Sequence, residues 1–181
     1  MSRALATRYQ PVLVALHWIV ALMILGLLCL GFFVLDDMPN TEPHKLDILK
    51  WHMAGGMLVL PLMLLRLAIR LRSARPPQAQ TGSPKLDKMA ALGHRGFYAI
   101  IFLMIASGFF TGYLISGAYA GGALPASFDL LPSFRLHSVL AGLLVLLIGV
   151  HLVAALYHHV GLKDGLLGRM WFGKRTVMPE R

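Results

Sequence analysis

Cysteine is nearly absent: the chain has one, Cys29, in 181 residues. That excludes a disulfide framework within the chain and a cysteine-rich metal site. Cys29 lies inside an apolar run, where a free thiol behaves as a small buried hydrophobe. Charge is also scarce, at 14% of residues, against ~25% in soluble domains. Acidic residues are the scarcest, eight against 17 Lys and Arg. Internal repeats and low-complexity tracts are missing as well. The first apolar run ends in Phe32, Phe33, Val34 and Leu35, with no small-residue cleavage site. It also exceeds the about 7–15 residues of a signal core, so it reads as a retained span.

What is there is oil. The apolar fraction is 57%, and it gathers into four runs at about 12–35, 53–69, 97–115 and 138–157. Each approaches the ~20 residues that cross a bilayer core as a helix, and lipid leaves the backbone no other partner. The expected fold is all-α, an integral membrane four-helix bundle, with residues 1–181 as a single transmembrane domain.

The connecting segments set an orientation. Cations gather in the N-terminal segment (Arg3, Arg8), in the second loop (Arg70, Arg72, Arg75, Lys85, Lys88, Arg95) and in the tail (Lys163, Arg169, Lys174, Arg175, Arg181). The first loop is acidic, with Asp36, Asp37, Glu42 and Asp47 against Lys45 and Lys50. The third has only Asp129 and Arg135. The positive-inside rule then places both termini in the cytoplasm. The net charge of +9 is explained by this one-sided placement, without nucleic acid. The tail from about Leu162 carries Leu166, Leu167, Met170 and Trp171, a pattern suited to the membrane surface.

Histidines stand where ionisable groups are costly and read first as functional. His137 and His151 are 14 residues apart on the fourth span. That is roughly 21 Å along a helix axis, with both rings on one face. Two such groups cannot share a metal, so each needs a partner at its own depth. His52 matches the depth of His137, and His17 that of His151. Two bis-histidine sites stacked across the membrane follow. Imidazole suits iron and copper, and a flat macrocycle between helices suits two axial imidazoles.

The same 14-residue step links other positions. Gly31 follows His17, Arg66 follows His52 and Gly108 follows His94 by that interval. Gly31 and Gly108 would leave a gap for a ring, as would Gly55 beside His52. Helix packing in lipid asks for the same small residues. Arg66 would neutralise a haem propionate or snorkel to the surface. His44 reads as a solvated residue of the acidic loop and His159 as interfacial.

With these residues in view, the chain resembles the bacterial cytochrome b561 family, related to the cytochrome b subunits of formate dehydrogenase and nickel-iron hydrogenase. The resemblance runs from about Tyr9 to Met170. It rests on Leu16-His17-Trp18, His52-x-x-Gly55 with Leu65-Arg66-Leu67, Leu92-Gly93-His94, His137, and Gly149-Val150-His151 through His158-His159. It implies two haem b groups, one on His17 and His151 and one on His52 and His137. It also implies a bacterial inner-membrane protein moving electrons between a periplasmic donor and quinone. Short free-standing members include a superoxide oxidase that reduces ubiquinone, and the lack of a further domain here points that way.

On this reading superoxide delivers electrons to the outer haem, with Lys45, Lys50 and Arg135 near its mouth. His158 and His94 would supply protons to ubiquinone near the inner haem, and Arg95 would help bind it. The rival reading is an electron-transfer subunit docked to a periplasmic partner protein of hydrogenase or dehydrogenase type. A metal-ion transporter would use the histidines differently. Such proteins tend to show broken spans and midplane acids, and no acidic residue lies within these four runs.

Overall fold

A computed structural model describes residues 5–79 and 81–178 of the chain. Arg3 and Arg181, counted above for orientation, lie outside the described residues. Four helices are long and apolar enough to cross a membrane. Helix α1 covers Pro11–Leu30 and runs on as a π-helical turn, Gly31–Leu35. Helix α2 covers Lys45–Arg72 and α3 covers Pro84–Leu114. A short α4, Ser116–Tyr119, and a 3-10 turn, Phe128–Leu130, occupy the third loop. Helix α5 covers Pro132–Leu156 and continues as a π-helical segment, Tyr157–Leu162.

Three of the four helices begin well outside the apolar runs. Proline stands in the first turn of α1, α3 and α5, where its missing N–H costs no hydrogen bond. The apolar run measures the lipid; the helix itself continues into the headgroup zone, because polar side chains do not interrupt its ladder. His52, His94 and His137 therefore lie inside helices rather than at their starts. In α2, Asp47 sits in the first turn and Arg70 and Arg72 in the last, each favourable to the helix dipole.

The bundle is apolar on its outer surface as well as at its centre. Leu22, Leu146 and Val153 are more than half exposed, as side chains that meet lipid must be. Helix α3 packs along α5, α1 along α2, and α2 also meets α3. The buried centre is Val20, Val59, Met63, Ile101 and Leu144, with Ile24 packed against it. Ile24, Val59, Ile101 and Leu144 follow His17, His52, His94 and His137 by seven residues each. Seven steps make two turns, about 10 Å, so one apolar layer separates the histidines of the two ends.

The first and last described segments meet at one end. Strand β1, Leu5–Ala6, pairs antiparallel with β2, Val177–Met178, a minor departure from an all-α fold. The chain reverses at Lys163 and Gly165, both with positive φ, forms a one-turn helix α6 over Leu166–Arg169, and returns. Arg8 Nη1 donates to the Gly168 carbonyl at 2.7 Å and Trp18 Nε1 to that of Met170 at 3.1 Å. Arg175 donates to the carbonyls of Arg8 and Ala74 at 3.1 Å each. The tail, read from sequence as a membrane-surface segment, is thus tied into the end of the bundle, with Trp171 still exposed.

Candidate haem-binding histidine pairs

Helix α5 supplies one ring to each of two sites. At the terminal end, His17 of α1 and His151 of α5 have ring centroids 6.5 Å apart at an interplanar angle of 66°. At the opposite end, His52 of α2 and His137 of α5 are 6.2 Å apart at 73°. The depth matching made from the sequence brings together these same partners.

The separation tests what could fit between. A metal–imidazole bond is about 2.0–2.1 Å, and a ring centroid lies about 1.1 Å behind its nitrogen, so imidazoles on opposite faces of one metal have centroids about 6.3 Å apart. Both pairs match. Among the described residues no group of three or more His, Cys, Asp or Glu could hold a metal ion. A bare ion would find two protein ligands where zinc takes four. Haem iron brings four donors in its own macrocycle and asks the protein for two, so the donor set fits haem.

The surroundings of the opposite-end pair orient its rings. His137 Nδ1 lies 3.0 Å from the Met104 carbonyl and 3.2 Å from Ser107 Oγ. A carbonyl accepts only, so Nδ1 carries the hydrogen and Nε2 keeps its lone pair for a metal. Ser107 Oγ itself donates to the Met104 carbonyl at 3.0 Å. Thr111 Oγ1 donates to Ser133 Oγ at 2.8 Å, and all three hydroxyl residues are buried. His52 Nδ1 is buried with no hydrogen-bond partner among the described residues.

Two glycines flank these rings. A Cβ at Gly108 would lie 3.1 Å from His137 Cε1, and one at Gly31 3.7 Å from His52 Cε1. Gly55 faces elsewhere: its Cβ would meet the Leu27 side chain at 2.9 Å, a contact between α1 and α2.

The terminal-end pair is more crowded. His94 of α3 lies 5.8 Å from His151, edge-on at 87°, and its Nδ1 is 2.7 Å from the Ala90 carbonyl. Phe97 is 5.4 Å from His151 and Trp18 is 5.3 Å from His17. Arg66 donates to the Tyr98 hydroxyl and holds its guanidinium 5.6 Å from that ring's centre. Arg95 is exposed. His158 is buried, and its Nδ1 lies 2.6 Å from Asp164 Oδ2. That hydrogen bond is the main reason the Asp164 carboxyl sits below its ordinary value.

Several partners escaped the sequence reading. Tyr98, Ser107 and Met104 belong to ordinary apolar stretches, and nothing in their spacing marks them. Asp164 follows His158 by six residues, which is no helical interval; Gly165 was its only signal, as a turn. The cations expected to attract an anion are engaged. Lys45 is buried, donates to the Met38 carbonyl and lies 5.7 Å from the Phe128 ring centre. Lys50 pairs with Asp47 at 2.9 Å, and Arg135 donates to the Asp129 carbonyl.

Comparison with known proteins finds related chains. The model of the prokaryotic cytochrome b561 family matches residues 8–173. A protein of Yersinia pestis named "Probable superoxide oxidase CybB" is 28% identical over 93% of this chain and 98% of its own length. "Cytochrome b561 homolog 2" of Escherichia coli is 27% identical over 90% of each chain. "Cytochrome b562" of Cereibacter sphaeroides is 29% identical over 90% of this chain and 94% of its own.

Proposed function

Since the chain belongs to the prokaryotic cytochrome b561 family, a family of multi-pass membrane electron-transfer proteins with b-type haem, we propose that it holds two haems and carries electrons from periplasmic superoxide to ubiquinone. His17 with His151 would hold one haem, and His52 with His137 the other. The observation that carries this is the pair of iron-width gaps, 6.5 and 6.2 Å, at opposite ends of one bundle. Held by those two histidine pairs, the haems would supply reversible one-electron transfer.

The protein's own work is to bind, orient and insulate. The Met104 carbonyl and Ser107 hold His137 by its Nδ1, which leaves Nε2 free to bind a metal. Gly108 and Gly31 keep side chains away from the opposite-end rings. Ile24, Val59, Ile101 and Leu144 keep water out of the layer between the ends. Arg66, at the terminal end, is placed to balance a propionate. His94 and His158 stand at that end as proton donors to quinone, and Arg95 as a quinone contact.

The concentration of Arg8, Arg70, Arg72, Arg75, Arg169, Lys174 and Arg175 at or beside the terminal end supports a cytoplasmic placement of both termini in an inner membrane. Superoxide as donor is supported by the name of the Yersinia relative. The test uses the chain purified alone. A reduced-minus-oxidised spectrum with haemochrome quantification should give two b haems per chain. Generated superoxide should then drive ubiquinone reduction. A di-haem protein inert to superoxide would favour a subunit that waits for a partner enzyme; one haem or none would end the pairing.

A further inference from the structure

His158 is a buried imidazole tied to an exposed acid. Its Nδ1 donates to Asp164 Oδ2 at 2.6 Å, and Asp164 Oδ1 accepts from the Leu166 N–H at 3.0 Å. The ring is 6% exposed as a residue, whereas Asp164 stands at the surface. Six residues separate the two, and a straight helix would place them on different faces. The contact exists because α5 loosens into the π-helical segment Tyr157–Leu162 and then reverses through Lys163, at φ 49°, and Gly165, at φ 70°. π-Helical turns of this kind occur often at functional sites.

We propose that Asp164 is a positioning residue that makes His158 the general acid for quinone reduction. This rests on the quinone reading above. The carboxylate accepts only, so it fixes the hydrogen on Nδ1 and leaves Nε2 as the nitrogen that exchanges protons. It also balances the charge of a doubly protonated ring, the role an aspartate plays behind a catalytic histidine elsewhere. Arg169 lies near enough to Asp164 to favour its ionised form, and the Tyr157 ring lies 6.2 Å from the His158 ring. His94, the other candidate donor, is exposed and bonds only a backbone carbonyl among the described residues. A carbonyl orients a ring but carries no charge to balance.

The step balances. Quinone takes two electrons and two protons to become quinol. The electrons come from two superoxide anions, each oxidised to dioxygen, by way of the haems that the two histidine pairs would hold. Each proton leaves His158 Nε2 for a quinone oxygen, and the ring is reprotonated from water.

The test uses the full chain with its haems, reduced stoichiometrically, and follows haem reoxidation by stopped flow with two acceptors. A short-chain ubiquinone takes electrons with protons; ferricyanide takes electrons alone. Asp164→Asn should slow reoxidation at saturating quinone roughly tenfold or more, within the range of general acid catalysis. It should leave the ferricyanide rate and both haem spectra as in the wild type. Asp164→Glu should recover part of the quinone rate, and acetate should do so for Asp164→Gly, because the position is open to water. Nitrogen NMR should find the Nδ1–H tautomer of His158 in the wild type. An Nε2–H tautomer, an Asp164→Asn quinone rate equal to wild type, or equal slowing toward both acceptors would each overturn the positioning role. A wild type that reduces ferricyanide but no quinone would overturn the quinone reading, and the role of Asp164 with it.

Discussion

The two ends of the bundle hold similar imidazole pairs in different company. The His52–His137 end is sparse. Its neighbours are glycines, hydroxyls and a backbone carbonyl, and its nearby cations are bonded to other groups. The His17–His151 end adds a third histidine, an arginine stacked on Tyr98, and the His158–Asp164 pair. The difference fits the roles proposed for the two ends. An end that only accepts electrons needs no titratable groups, and in a membrane each is costly. An end that hands electrons to quinone must also manage protons. The apolar layer of Ile24, Val59, Ile101 and Leu144 keeps those tasks apart.

The largest effects should come from removing a shared-helix ligand at one end. His137→Ala should halve the haem per chain, remove the opposite-end haem and all but abolish transfer. His151→Ala should do the same at the terminal end. Haemochrome assays and redox titration would read both; loss of both haems from either variant would break the idea of two separable sites.

A smaller effect is expected at Gly108, whose Cβ would lie 3.1 Å from His137 Cε1. Gly108→Ala crowds that ring, and overpacking costs about 1–3 kcal/mol. It should weaken haem retention at the opposite end only. Gly26→Ala, with nothing within 4 Å, should be silent in the same spectra.

Ser107→Ala comes next. It removes the hydroxyl at 3.2 Å but leaves the Met104 carbonyl at 3.0 Å to hold the tautomer. The midpoint potential of the opposite-end haem should move while the terminal-end haem stays. Losses in haem affinity should stay within the about 10–100-fold typical of such partners.

The smallest effect is on pH. The Asp164 carboxyl sits below its ordinary value chiefly because His158 donates to it. Its contribution is therefore present above the unfolded carboxyl value and is lost as pH falls through the lower folded one. Thermal unfolding should show a modest acid destabilisation in the wild type that Asp164→Asn lacks.

Much of this was legible because helices in lipid are regular. The step of 14 residues along α5 put His137 and His151 on one face at two depths, and depth alone chose His17 and His52 as partners. Gly31 fell beside His52 by the same rule. The rule failed where the backbone stopped being a regular helix. Asp164 reaches His158 only through a π-helical turn and two positive-φ residues. Lys45 stands in the acidic first loop of the sequence and reads as a loop charge, yet α2 begins with it and it is buried.

The sequence by itself determined the spans and the relative depths of the histidines, because lipid thickness and helical rise leave few alternatives. Only the tertiary structure decided how far apart the paired rings stand, which groups hold His137 by its Nδ1, and which acid stands behind His158. Those depend on side-chain directions between helices and on where a helix ends, and neither is periodic in the chain.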